Sequence, residues 1–487
     1  MSARPGDDPF RDREVPQWFR DAKLGIFVHW GVYSVPAWAP PPGPKGDGGT
    51  QLLDLFKINA ESMQDADRQR NESLARLLQI LGPENVAIDK VIEKLVGENA
   101  YAEWYWNTLS IPSSQTARHH RETWGDRAYT DFAEDFAEAS SSWNPDDWAS
   151  LMAEAGARYA VLTTKHHDGY CLWPSEVPHP KGWSHWRSSR DLVGEYAGAL
   201  RKAGLRCGLY YSSGLDWSLK GLPTLPPFGD DSILQSPEEI AYVDGQWREL
   251  FERYAPDLIW PDIGHPRADD VHALLADYYA RDPHGVVNDR LQNTDTVEPT
   301  RHWDYRTTEY FCPKHISEDV WEESRGVGAS FSYNQLEDDG TSMLCVTELV
   351  HLLADRVSKN GNLLLGIGPK ADGSIPEVQA DRLRGLGRWL RVNGEAIYET
   401  RPWRTHAAET ETGMDVRFTQ RGDRVYAITL GTPDQSFVLE HIEFQAPVFV
   451  TRVGGGSAEI SHTPEGTRIA CGPLPDAPAH SFCIAPK

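Results

Sequence analysis

Apolar residues return at i, i+3, i+4 and i+7 in three stretches of this chain: Trp148, Leu151, Met152 and Ala155; Trp247, Leu250, Phe251 and Tyr254; Val271, Leu274, Leu275 and Tyr278. A period near 3.6 residues predicts helices with one buried face. Each face stops shortly before a short, nearly all-apolar run, and such runs read as strands covered on both sides. Two of the joints look alike, Ala155 to Arg158 and Ala203 to Arg206, with Gly156 and Gly204 where a helix C-terminus wants positive φ. Repeated strand–helix units pair their strands in parallel, which predicts an α/β architecture, a (β/α)8-like TIM barrel.

The strands end in side chains that can do chemistry. His29 follows Phe27 and Val28, and Lys165 to Asp168 follow Thr163 and Thr164; Ser212 follows Tyr210 and Tyr211, Asp262 follows Trp260 and Pro261, and Arg290 follows Asn288 and Asp289. In a closed barrel these ends share one rim, where the loops hold catalytic groups. Beyond about residue 395 the helical period gives way to short strand-like stretches, Val416 to Phe418, Val425 to Leu430 and Ile442 to Phe444, punctuated by Gly422, Pro447 and Gly454 to Gly456. The expected division is a catalytic barrel over 1–395 and an antiparallel β-sandwich over 396–487. One segment leaves the barrel rhythm: Leu74, Leu77, Leu78 and Leu81, then Gly82 and Pro83, then Ile88, Val91, Ile92 and Leu95. It predicts an inserted helical hairpin at about 45–97, overhanging the active face as a lid, a subunit contact or a packed decoration.

Charge narrows the partners. With 72 acidic against 48 basic side chains in 487 residues, a formal charge of -24 argues against nucleic acid or an anionic membrane surface, since both need a basic footprint. No apolar run approaches the roughly 18 residues of a membrane span. The first residues hold no apolar secretion core, so a cytoplasmic protein is the expectation. Six cysteines, at 171, 207, 312, 345, 471 and 483, show no metal-ligand spacing and read as free thiols; neither a metal nor a cofactor is expected.

Longer motifs carry a resemblance. Trp18 and Phe19 with the run KLGIFVHWGVYSVPAW (Lys23 to Trp38) resemble the first barrel strand of the family 29 glycoside hydrolases, the α-L-fucosidases. YAVLTTKHHDGY (Tyr159 to Tyr170) resembles that family's double-histidine strand, and VSKNGNLLL (Val357 to Leu365) its last strand; with Glu103, Trp104 and Tyr105 the likeness covers most of residues 16 to 400. It implies a retaining exo-hydrolase that removes α-linked L-fucose from fucosylated oligosaccharides or glycoconjugates, in a family where homo-oligomers are common.

A retaining glycosidase needs one carboxylate to attack the anomeric carbon and a second carboxyl roughly 5 Å away to serve as acid and then base. Asp262, at a strand end after Trp260, resembles the family's nucleophile, although Pro261 stands where a small residue or phenylalanine is usual. Glu309, 47 residues further on, resembles the acid/base of bacterial members and is taken in that role. Glu322 resembles the position used in other branches, including the animal enzymes, and Glu103 a carboxylate that holds the sugar. His29, His166, His167 and Arg290 have natural jobs at the sugar hydroxyls or the nucleophile, and Tyr211 completes the polar set. Both histidines of the pair reach the sugar only if their strand ends there, because successive strand residues point to opposite faces. Trp104, Trp260 and Phe331 offer apolar area to the sugar's C–H face and its C6 methyl.

Two rival readings stand beside this one. A metal-dependent barrel hydrolase would use the same strand-end histidines and aspartates, but the first strand lacks H-x-H and no H-E-x-x-H occurs. A non-catalytic fucose-binding protein would keep the fold without turnover.

Overall fold

The computed structural model describes residues 9–40, 96–225, 231–266, 271–291, 302–444 and 447–486. The apolar stripes of the expected hairpin, Leu74 to Leu95, lie outside the described residues. Eight strands form one parallel sheet: β1 (Leu24–Val28), β2 (Tyr159–Lys165), β3 (Arg206–Ser212), β4 (Leu258–Asp262), β5 (Val286–Val287), β6 (Arg306–Glu309), β7 (Trp321–Gly326) and β8 (Gly361–Ile367). Their order is β5-β4-β3-β2-β1-β8-β7-β6. The two end strands meet where Asn288 bridges Tyr305 in parallel, and the Val287 carbonyl accepts the amide of Asp304 at 2.9 Å. That contact closes the barrel.

The predicted helical faces are buried against the sheet. Pro145–Glu154 buries Trp148, Leu151 and Met152; Pro237–Tyr254 buries Trp247, Leu250, Phe251 and Tyr254; Val271–Arg281 buries Val271, Leu274, Leu275 and Tyr278. Local sequence sets their ends. Ser236 and Glu239 form a reciprocal capping box with Pro237 in the first turn, and Asn144 accepts the Asp146 amide ahead of Pro145. Gly156 and Gly204 take φ of 88° and 74°, the left-handed turn that lets each helix hand over to β2 and β3. Between β6 and β7 there is no helix, a departure from the ideal barrel.

Alternation along each strand sorts the core into two layers. Phe27, Tyr159, Val161, Tyr210, Leu258, Trp260 and Leu364 fill the barrel interior. Ile26, Ala160, Leu162, Leu209, Tyr211, Ile259 and Leu365 pack outward under the helices. Gly25 permits the inner layer, because a Cβ there would collide with the Tyr159 ring.

The C-terminal region holds two antiparallel sheets. Strands β9 (Arg401–Glu409), β10 (Asp415–Arg421), β11 (Arg424–Thr429), β13 (Val448–Arg452) and β16 (His480–Pro486) make one; β12 (Ser436–Glu440), β14 (Glu459–Thr463) and β15 (Gly466–Ala470) make the other. Phe418, Ala427, Phe482 and Ile484 from the first meet Phe437, Leu439 and Ile469 from the second, a sandwich core. The sandwich is pinned to the barrel by Asp355, on helix Val346–Ser358. Its carboxylate accepts Arg417 Nε of β10 at 2.7 Å, Arg356 Nη1 at 2.9 Å and Lys359 Nζ at 2.9 Å.

Candidate active site

At the C-terminal mouth of the barrel two carboxylates share one guanidinium. Arg290 Nη1 donates to Asp262 Oδ1 at 3.0 Å and Nη2 to Glu309 Oε2 at 3.3 Å. Its Nε donates to Thr307 Oγ1 at 3.0 Å, and its plane lies over Trp260, 4.7 Å from the ring centroid. These bonds hold a half-buried cation in one orientation, and the two carboxylates keep its pKa above the ordinary arginine value in spite of its partial desolvation. Asp262 Oδ2 accepts the Tyr210 hydroxyl at 2.9 Å, and Glu309 Oε1 accepts the Tyr101 hydroxyl at 2.9 Å.

Strand parity explains who faces inward. Asp262, Trp260 and Leu258 alternate with Ile259 on β4, and Ser212 and Tyr210 alternate with Tyr211 on β3. Tyr211 is therefore not in the site: it points under the helices, where its hydroxyl donates to Gln246 at 2.8 Å. Tyr210, its neighbour, points inward and donates to Asp262 instead. Parity counted back from Ser212 to the strand's end would have separated the two.

The histidines gather on one wall. β2 ends at Lys165, so His166 and His167 are both free of the strand's alternation. Their rings are 4.1 Å apart; His166 stacks over Tyr210, 5.7 Å between centroids, and lies 5.7 Å from His29. Burial pushes all three imidazoles down, His167 to about 3, so they are neutral at physiological pH. Ser212 donates its hydroxyl proton to the Leu215 carbonyl, so His167 Nδ1 donates to Ser212 Oγ at 2.7 Å and Nε2 keeps its lone pair for the site. Nε2 lies 3.9 Å from Asp262 Oδ2. Among the described residues, His29 Nδ1, His166 Nδ1 and the indole nitrogen of Trp217 are buried without a partner. Buried polar atoms without partners are costly unless a ligand or water completes them.

The apolar side is aromatic. Phe331 stands 4.9 Å from His29, and Trp104 packs edge-on against His167 at 5.6 Å and Trp217 at 5.5 Å. Trp217, Tyr101 and Tyr210 escaped the sequence reading; a tryptophan five residues past a strand end carries no motif. Glu103 accepts the Ser330 hydroxyl at 3.1 Å and the Ser332 amide at 3.0 Å, tying its segment to the loop after β7, and burial raises its pKa.

Glu322 is elsewhere. It lies on β7 inside the barrel, wholly buried, accepting Tyr159 Oη at 2.5 Å and Trp260 Nε1 at 3.0 Å, and burial raises its pKa to about 7. Tyr159 opens β2 at the far end of the barrel, so this carboxyl braces the floor while Glu309 faces the mouth. Among the described residues no group of three or more His, Cys, Asp or Glu side chains is arranged to hold a metal ion, and no helix is long and apolar enough to cross a membrane.

A paired-carboxylate site in the mouth of a parallel barrel, walled by neutral histidines and aromatic rings, is the arrangement of a glycoside hydrolase. Similarity makes this particular. The family profile described as Alpha-L-fucosidase matches residues 3–395. The chain is 31% identical over 499 residues to the tissue alpha-L-fucosidase of Rattus norvegicus, spanning 97% of this chain and 88% of that one. It superposes on a solved alpha-L-fucosidase with a TM-score of 0.80 at 37% identity, covering 98% of both chains. The Thermotoga maritima alpha-fucosidase in complex with fucose gives 0.78 at 36% identity, again over 98% of both. The chain belongs to the α-L-fucosidase family of glycoside hydrolases.

Proposed function

We propose that the protein releases L-fucose from α-L-fucosides with net retention, Asp262 acting as nucleophile and Glu309 as acid and then base. The observation that carries this is the single guanidinium of Arg290 bonded to both carboxylates, since one rigid fork spans only a short gap. A short gap suits direct attack on the sugar; an inverting enzyme needs room for a water between carboxylate and anomeric carbon.

In the first step Asp262 attacks the anomeric carbon while protonated Glu309 gives its proton to the leaving oxygen. Arg290 and Tyr210 fix the Asp262 carboxylate, leaving a lone pair free to form the new bond. In the second, Glu309 takes a proton from water as that water displaces Asp262, and the carboxylates return to their starting states. The neutral rings of His29, His166 and His167 can each accept or donate one hydrogen bond, which suits hydroxyl groups of an uncharged sugar. Phe331 and Trp104 supply apolar surface for the C6 methyl and C–H face. Fucosylated oligosaccharides or glycoconjugates are the proposed substrates. The six cysteines, all unpaired, favour a reducing compartment, and the proposed location is the cytoplasm.

Proton NMR of the first turnover of an aryl α-L-fucoside tests the scheme. α-L-Fucose should appear first and mutarotate later. Initial β-L-fucose, or no turnover by the wild type, would overturn it.

A further inference from the structure

Lys165 and Asp216 form an ion pair that none of these steps uses. Nζ and Oδ2 are 2.9 Å apart and both side chains are wholly buried. The ammonium sits outside the sheet over the rings of Tyr211 and Tyr242, at 4.4 and 5.1 Å from their centroids, and Asp216 keeps the lysine charged, its pKa raised despite burial. Removing two charges from water is expensive, and an apolar pair of similar volume commonly serves folding as well or better. Stability alone therefore does not account for the choice of ions here.

Position does. Lys165 closes β2, and the next two residues are His166 and His167. Asp216 immediately precedes Trp217, whose amide donates to the His167 carbonyl at 2.7 Å and whose indole packs against His167, His166 and Trp104. The other carboxylate oxygen accepts the Ser218 amide at 3.0 Å and the Ser218 hydroxyl. The loop after β2 is shaped around this carboxylate: Gly169 has φ of 79°, and a Cβ there would collide with Asp216 Oδ1.

We infer that the Lys165–Asp216 pair is a positioning clamp that sets His166, His167 and Trp217 as one rigid wall of the sugar site. Neither residue touches substrate; each acts through its neighbour in sequence. The inference rests on the fucoside reading of that site. Displacement of a positioning wall by about 1 Å is enough to cost on the order of a hundredfold in rate.

Two double variants test it: Lys165→Met with Asp216→Leu, which keeps volume without charge, and Lys165→Gln with Asp216→Asn, which keeps a hydrogen bond. The apolar pair should melt within a few degrees of wild type yet lose about 30- to 100-fold in kcat/KM on an aryl α-L-fucoside, chiefly through KM. A fucose-configured iminosugar should weaken by a similar factor, and the amide pair should recover most of the loss. A folded apolar pair with kcat/KM within about threefold of wild type would overturn the clamp, as would failure of both variants to fold, which assigns the pair to stability. A wild type inactive on the fucoside would refute the fucoside reading instead, so the two failures are distinct.

Discussion

Replacing Glu309 and Glu322 by alanine, one at a time, should give opposite phenotypes. Glu322 accepts Tyr159 Oη and Trp260 Nε1 in a fully enclosed interior. Glu322→Ala leaves two buried donors unsatisfied, each costing about 1–3 kcal/mol, so a loss of about 2–6 kcal/mol is expected before any cavity is counted. Denaturant unfolding at about pH 5, where the wild-type carboxyl is protonated, reads this loss directly. What activity survives should fall equally on good and poor leaving groups. Glu309 is partly exposed at the mouth, and Arg290 keeps Asp262 and Thr307 as partners, so Glu309→Ala should cost less, about 1–3 kcal/mol for the buried Tyr101 hydroxyl it leaves without an acceptor. It should lose about a hundred- to ten-thousandfold on a natural fucoside and far less on a dinitrophenyl fucoside, whose leaving group needs no proton. Azide should restore its turnover, and the product should be the α-fucosyl azide, because azide attacks an intermediate already inverted once. Leaving-group dependence with azide rescue in Glu322→Ala and not in Glu309→Ala would refute the assignment and with it the reading of the barrel floor.

Tyr210→Phe removes the hydroxyl donor to Asp262 and should lower kcat/KM by about 10- to 100-fold, the worth of one charge-assisted hydrogen bond, with the melting temperature nearly unchanged; Tyr211→Phe should leave kinetics untouched, and steady-state rates compare them. Glu322 has a folded pKa raised from 4.5 to about 7, so its stabilising contribution is complete below pH 4.5 and is lost as pH rises through 7. Glu322→Gln should therefore become more stable relative to wild type as pH climbs across that window, by up to roughly 3 kcal/mol, and a flat difference in unfolding free energy would sink the idea. Asp355→Ala strips three cations of their shared carboxylate and should cost about 3–5 kcal/mol, visible in calorimetry as earlier melting of the sandwich; an unchanged thermogram would mean the pin is idle.

Local pattern determined a great deal in this chain. Helical period and the paired glycines 156 and 204 placed the helices and strands, because those signals act over a few residues and need no knowledge of the rest. The alternation of strand and helix implied parallel pairing, and parallel pairing put Asp262, Arg290 and the histidines at one rim. What sequence could not decide was set by where strands stop and which way they face. A one-residue difference in parity moved the useful phenol from Tyr211 to Tyr210, since neighbours on a strand see opposite sides of the sheet. The end of β2 at Lys165 allowed both His166 and His167 into the site. Glu309 and Glu322 sit on adjacent parallel strands, and only the depth of each along the barrel axis separates mouth from floor. Trp217 and Tyr101 were invisible for the same reason: their importance comes from long-range contacts, to His167 and to Glu309, that close only when the barrel does.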